Sequence, residues 1–275
     1  CAIVGWATWY GNAREGVVAI RLVIGLLFAW AGLHKVNPAF VANGMGAIVA
    51  QWGWPAPPPW VNVAIAVIEV ALGVGLLVPR TRRIAAYGLV VWSLTVALGL
   101  SAMGLNRAVV PWNVGHAVMS MWLARAPSSP AHEGWSWARR PSLLVVATVF
   151  GAMPALHVLG WPPYLALRLY TGSSPIALLH LNEPEVLPAA ARRVARREES
   201  GTFRAVLDVQ RWAHEATGAF VPPENAVFEG VLGHVCRRVR RPREVLLVVV
   251  ERDEHWRRAP ETRYLRCADV IADIP

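Results

Sequence analysis

Charge is what this sequence has least of. Only 16% of its 275 residues are Asp, Glu, Lys or Arg, against about 25% in soluble globular domains, which excludes a disordered or nucleic-acid-solvating chain. Lysine is almost missing, with Lys35 the single one among 27 basic residues. The three cysteines form no CxxC, which excludes thioredoxin-like chemistry and paired-cysteine zinc motifs. GxSxG, a Gly-rich phosphate loop and a paired-carboxylate motif are also absent, and with them the commonest catalytic signatures. The chain begins at Cys1 without Met, which predicts processing or truncation. Cys1–Ala13 is too short and wrongly flanked for a signal peptide.

What is present is apolar: 55% hydrophobic residues, 14 Trp and a mean hydropathy of +0.37. The average hides a division. Thirteen charges fall in residues 1–160 and 32 in residues 161–275, so the first part reads as lipid-embedded and the second as a water-soluble domain. The net charge of +9 lies mostly on the first part, where it carries topology information and is no nucleic-acid footprint.

A span needs about 20 mostly apolar residues. Gly16–Val36, Trp60–Val78, Ile84–Gly104, Val109–Ala126 and Ser142–Trp161 are the candidates, the fourth being short. The fold class expected is therefore mainly α: a polytopic membrane bundle of four to five helices, followed by a small soluble α+β domain. Its divisions are an N-terminal segment at 1–13, a four-helix unit at 14–126, a cytoplasmic loop at 127–141, a fifth helix at 142–161 and the soluble domain at 162–275. With the N-terminus cytoplasmic, Arg14, Arg80, Arg82, Arg83, Arg125, Arg139 and Arg140 fall inside and only Lys35 and Arg107 outside, as the positive-inside rule asks. Five crossings place the C-terminal domain outside the inner membrane of a bacterium; four place it inside. Cys236 and Cys267 can then form a disulfide in an oxidising compartment or stay buried thiols.

In the soluble domain, Ile176–Leu181 and Glu244–Glu251 read as strands, with Thr262–Cys267 pairing with the latter. Leu187–Glu199, Phe203–Thr217 and Glu224–Arg241 read as helices. His180, His214, His234 and His255 are scattered without metal-ligand spacing, so no metal site is expected. The basic run Arg237–Arg243 is either a solvated helix end or a contact for anionic headgroups or a partner.

Ionisable residues at membrane depth cost about 2.5–3.5 kcal/mol each on insertion scales. Glu69 lies midway along the second span and Arg21 inside the first; an Arg21–Glu69 ion pair explains both, either as structure or in proton or ligand handling. A second group, His34, Lys35, Trp112, Asn113, His116 and His157, collects near the outer level in this topology. It reads either as ordinary interfacial residues or as a polar pocket for a quinone headgroup or protons.

The segments RLVIGLLFAWAGLHKV (Arg21–Val36) and IEVALGVGLLVPRTRRIAAYGLVV (Ile68–Val91) resemble the DoxX/DoxD family of small bacterial membrane proteins. The motif positions correspond to Arg21, Gly25, Gly32, Lys35, Glu69, Gly73, Leu76 and Arg83. That family includes the small subunit of thiosulfate:quinone oxidoreductase and proteins of thiol-redox complexes, and is similar to the methylamine-utilisation MauE proteins. The tail segments Trp161–Leu181, Val209–Val239 and Tyr264–Cys267 resemble those of bacterial horizontally transferred transmembrane proteins related to vitamin K-dependent γ-carboxylase. The resemblance implies an accessory or small subunit of a quinone- or thiol-linked membrane redox complex, in contact with the bilayer and a membrane or periplasmic protein. A non-catalytic scaffold or export-associated protein with structural buried charges is the alternative, and a carboxylase-type enzyme a third reading.

Overall fold

The computed structural model describes residues 13–49, 53–102, 109–126, 141–152, 154, 175–198, 201–217, 225–250 and 261–271. The chain divides into two compact units, Cys1–Val36 with Phe40–Thr171, and Asn37–Ala39 with Gly172–Pro275.

The first unit is helical. α1 spans Ala13–Lys35 and stops before Asn37–Pro38, since a proline disfavours helical backbone in the residue ahead of it. Two short helices follow, α2 (Pro38–Asn43) and α3 (Gly46–Val49). α4 (Pro59–Leu77) opens with Pro59 in its first turn, where the missing N–H costs nothing, and ends at the extended Val78 that precedes Pro79. Its turn into α5 (Arg82–Ala102) is closed by the Thr81 hydroxyl, which donates to the Gly75 carbonyl at 2.8 Å. α6 (Val109–Arg125) packs mainly along α5, as α1 does along α4. α7 (Pro141–Ala147) continues into a π turn, Thr148–Ala152, and both touch α1.

Among the described residues, three helices are long and apolar enough to cross a bilayer: Glu15–Lys35, Pro59–Leu77 and Arg82–Ala102. With 17-residue α6 the unit has three to four such helices. The fifth candidate, Ser142–Trp161, is helical as far as Ala152; its remainder, with His157, lies outside the described residues apart from Pro154.

The packing is that of a membrane protein. Ala66, Gly73 and Leu76 of α4, Ala85, Ala86, Leu89 and Ser93 of α5, and Ala117, Ser120 and Ala124 of α6 face inward. Ile84, Val91 and Leu98, seven residues apart on α5, are exposed, as are Val114, Val118 and Trp122 on α6. Small and polar residues inside with large apolar ones outside is the arrangement that lipid solvates. This unit is a multi-pass membrane bundle, and its solvent is a bilayer.

The second unit is an antiparallel five-stranded sheet covered by helices on one face. Its strands are β1 (Ile176–Leu181), β2 (Arg196–Arg197), β3 (Ala205–Asp208), β4 (Val245–Val250) and β5 (Thr262–Arg266), in the order β2-β3-β1-β4-β5. The continuously apolar β4 sits between β1 and β5, with Leu179 opposite Leu247 and Val248 opposite Tyr264. Alternate residues, Leu179, Leu181, Leu207, Leu247 and Val249, are fully buried against Phe228 and Leu232 of α10 (Asn225–Cys236).

Three expected helices are corrected, and of these Glu224–Arg241 is helical only over α10, Asn225–Cys236. Leu187–Glu199 is helical only over α8, Ala189–Val194, and turns into β2. Phe203–Thr217 splits into β3 and α9, Val209–Thr217. The division falls at Asp208, whose carboxylate accepts the Arg211 N–H at 3.0 Å and caps α9. Ahead of it Ala205 and Leu207 alternate inward and complete the sheet beside β1.

The last helix, α11 (Cys267–Val270), follows β5 directly. Cys236, ending α10, and Cys267, opening α11, are joined by a disulfide with their Cα atoms 5.6 Å apart, both within the core.

Candidate functional site

The register of α1 on α4 decides which charges meet. Gly32 faces Ala66 and Val70, and Gly25 faces Gly73 and Leu77, so residues whose numbers sum to about 100 lie level in this antiparallel pair. Glu69 is then level with residue 31, four short of Lys35. In each helix the Cα–Cβ bonds tilt toward the N-terminus, which leans Lys35 and Glu69 toward one another.

The Lys35 ammonium donates to Glu69 Oε2 at 2.5 Å and to the Ala31 carbonyl at 3.4 Å, and lies 5.9 Å from the centre of the Phe40 ring. The other carboxylate oxygen, Oε1, accepts the indole N–H of Trp92 at 3.2 Å. One carboxylate thus ties α1, α4 and α5 together. The pair is mostly out of solvent, with side-chain exposures of 13% for Lys35 and 9% for Glu69. Attraction in such a setting is strong, and so is the cost of stripping either ion of water.

The expected Arg21–Glu69 pair is therefore corrected. By the same register Arg21 lies level with residue 79, about 15 Å along the axis from Glu69 at 1.5 Å per residue, and its side chain leaves the backbone in the opposite direction. Arg21 is itself buried.

The outer polar group does not assemble as one cluster among the described residues. His34 is buried and stacked on Trp30, ring centroids 5.3 Å apart. Trp30 in turn donates its indole N–H to the Gly151 carbonyl at 3.0 Å. His116 meets the Phe28 ring edge-on at 5.5 Å. Asn113 is buried and donates to Val109 of its own helix at 3.1 Å, while Trp112 is 63% exposed. Arg83 donates from Nε to the Ala124 carbonyl at 3.2 Å, satisfying one of the carbonyls a helix C-terminus leaves open. No group of three His, Cys, Asp or Glu arranged to hold a metal occurs among the described residues.

Two residues of the site escaped sequence reasoning. Trp92 sits in a continuously apolar segment, and nothing but the fold reveals that its indole reaches Glu69. Asn62 is completely buried; its amide accepts the Met45 N–H at 3.1 Å and donates to the Val41 carbonyl at 3.0 Å. It pins the chain after α1 onto α4, beside Phe40 and Lys35. An amide inside an apolar run was the available signal.

Residues 13–111 match the family model of the methylamine utilisation protein MauE. The matched stretch runs from the start of α1 into the first turn of α6 and contains Lys35, Glu69, Trp92 and Asn62. This corrects the DoxX/DoxD assignment: the family that the helical unit matches is MauE. It also leaves the γ-carboxylase-related likeness of the tail without support, because the match stops at residue 111. No curated protein and no solved structure matches the chain.

Proposed function

We propose that the chain is an integral-membrane accessory subunit serving a redox pathway of the kind the methylamine utilisation proteins belong to, working beside partner proteins without turning over a substrate alone. The observation that carries this reading is the coincidence of the MauE match with the Lys35–Glu69–Trp92 cluster. A fixed ion pair among three spanning helices is costly to build and needs a purpose. The chemistry suited to it is contact with a quinone headgroup. Lys35 carries a third N–H beyond its two bonds, able to donate to a quinone carbonyl while Glu69 holds the ammonium. A thiol relay within the chain is less well supported, because Cys236 and Cys267 are bonded and buried. That disulfide supports placing residues 162–275 on the oxidising, extracytoplasmic side.

A structural reading is favoured by one observation: both oxygens of Glu69 are already taken up within the protein. In that case the cluster sets helix register in a scaffold. Purification of the full chain from mild detergent, with assays for co-purifying quinone and partner subunits, separates the two. For the functional reading, Glu69→Gln keeps the fold and loses quinone or partner. Under the structural reading Glu69→Gln loses the fold and Lys35→Met in the same chain restores it. Absence of quinone and partners from the unsubstituted protein would refute the accessory role.

A further inference from the structure

The sheet of the second unit has two edges, and they are built differently. At one, β2 is only Arg196 and Arg197, both exposed; shortness and charge blunt an edge against further pairing. At the other, β5 has five residues and no proline, exposed and half-buried in alternation, with Tyr264 66% exposed. A strand of that length, about 17 Å at 3.4 Å per residue, presents a row of backbone donors and acceptors to whatever can pair with them. β5 is paired with β4 from Thr262 to Arg266. The Arg266 N–H donates to the Asp269 carboxylate at 2.6 Å. Among the described residues no other backbone group of 262–266 is bonded beyond β4.

The edge is also held in place at two points. Arg263 reaches Glu229 of α10 at 3.7 Å, and the Cys236–Cys267 disulfide fixes the residue that follows the strand. A strand ordered in advance loses little freedom when another strand adds to it.

The sequence of β5 is complementary to itself. An antiparallel match centred on Tyr264 sets Tyr264 opposite Tyr264, Arg263 opposite Leu265 and Thr262 opposite Arg266, so no arginine meets an arginine. Moving the centre to Arg263 opposes two guanidinium groups, and moving it to Leu265 leaves only residues 264–266 paired. Tyr264 shares its face with Val248 of β4, away from the helices. On that face the match forms a cross-strand aromatic pair, with each Arg266 diagonal to the tyrosine of the other copy and able to lie over its ring. β2 allows no such match, because pairing it with itself brings its arginines together. Two copies in one bilayer meet at high effective concentration, since this unit is covalently continuous with the membrane bundle.

We propose that β5 docks a second copy of this chain, edge to edge and antiparallel about a two-fold axis at Tyr264, so that the two sheets become one continuous sheet. The test uses the full-length chain in lipid vesicles, with Cys1→Ser removing the one cysteine outside the disulfide. A new cysteine on β5 is oxidised with copper phenanthroline, and reducible dimer is measured on a gel. Directly opposed residues of antiparallel strands have Cα atoms about 4.5–5.5 Å apart, within reach of a disulfide. The two copies of residue 262 lie about 14 Å apart in this register, four residues at 3.4 Å each. Tyr264→Cys is therefore expected to cross-link at least roughly tenfold faster than Thr262→Cys. Tyr264→Lys, which sets like charges directly opposite, is expected to shift the mass of the detergent-solubilised protein from dimer toward monomer. Retained Cys236–Cys267 bonding, read by thiol alkylation, confirms that each variant has folded; if the new thiol captures Cys267, the Tyr264→Lys comparison decides. Equal cross-linking from positions 262 and 264, no cross-link in folded Tyr264→Cys protein, or a dimer untouched by Tyr264→Lys would each overturn the proposal.

Discussion

Replacing Gly73 by Ala adds a single methyl group at the closest approach of α1 and α4. The added Cβ would fall 2.6 Å from the Gly25 carbonyl oxygen and would also overlap the backbone nitrogen of Ala29. Both obstacles are backbone, so no rotamer change relieves them, and the helices must part. Restoring an ordinary contact of 3.4 Å to both needs an opening of about 1 Å, and gaps of that size forfeit roughly a quarter to a half of each lost dispersion contact. Overpacking of this kind costs about 1–3 kcal/mol. The control is Gly115→Ala on α6, where a Cβ meets nothing within 4 Å. Removing a helix-interior glycine there is worth roughly 0.5–1 kcal/mol in the stabilising direction. Thermal unfolding of the two variants in one detergent should therefore move in opposite directions. The parting of α1 and α4 should also loosen the Lys35–Glu69 contact, which amine labelling of the sole lysine reads directly. A Gly73→Ala protein as stable as the unsubstituted one, with Lys35 equally protected, would refute the packing argument.

Other substitutions probe separate parts of the structure. Asn62→Ala strands the Met45 N–H and the Val41 carbonyl, at about 1–3 kcal/mol for buried groups left unpaired, and limited proteolysis should cut sooner within 41–49. Reducing Cys236–Cys267 opens a 31-residue separation, which the chain-entropy account values at about 3–4 kcal/mol; denaturant unfolding with and without reductant should show this loss in the second unit, and an unchanged midpoint would contradict it. Ser120→Ala should be neutral or slightly stabilising, because that fully buried hydroxyl has no hydrogen-bond partner among the described residues and a methyl group avoids the desolvation cost. A large drop in melting temperature would mean that the hydroxyl is bonded after all.

The sheet shows where local reasoning holds and where it fails. β4 is a run of six Val and Leu residues, and β-branched continuity marks it as a buried strand without further context. The nearby stretch 203–217 carries residues compatible with one amphipathic helix, yet its first part is recruited as β3. The free edge of β1 offers an unfilled ladder there, and tertiary pairing outweighs helix propensity, which is worth only tenths of a kcal/mol per residue up to about 1. The candidate site behaves the same way. Glu69 stands out as a lone acid in an apolar span, and Lys35 as the lone lysine; that they belong together is invisible until a register is known.

By itself the sequence determined the membrane class, the four long helices of the first unit and the charges that lipid makes costly. Those follow from composition and from the energy of placing charge in lipid, which each residue carries with it. Only the tertiary structure decided that Glu69 takes Lys35 and Trp92 and leaves Arg21 aside. Partner choice depends on the relative slide of two helices, set by close glycine contacts at positions 25, 32 and 73. A shift of one turn, about 5.4 Å, would carry the carboxylate away from the lysine without altering either helix.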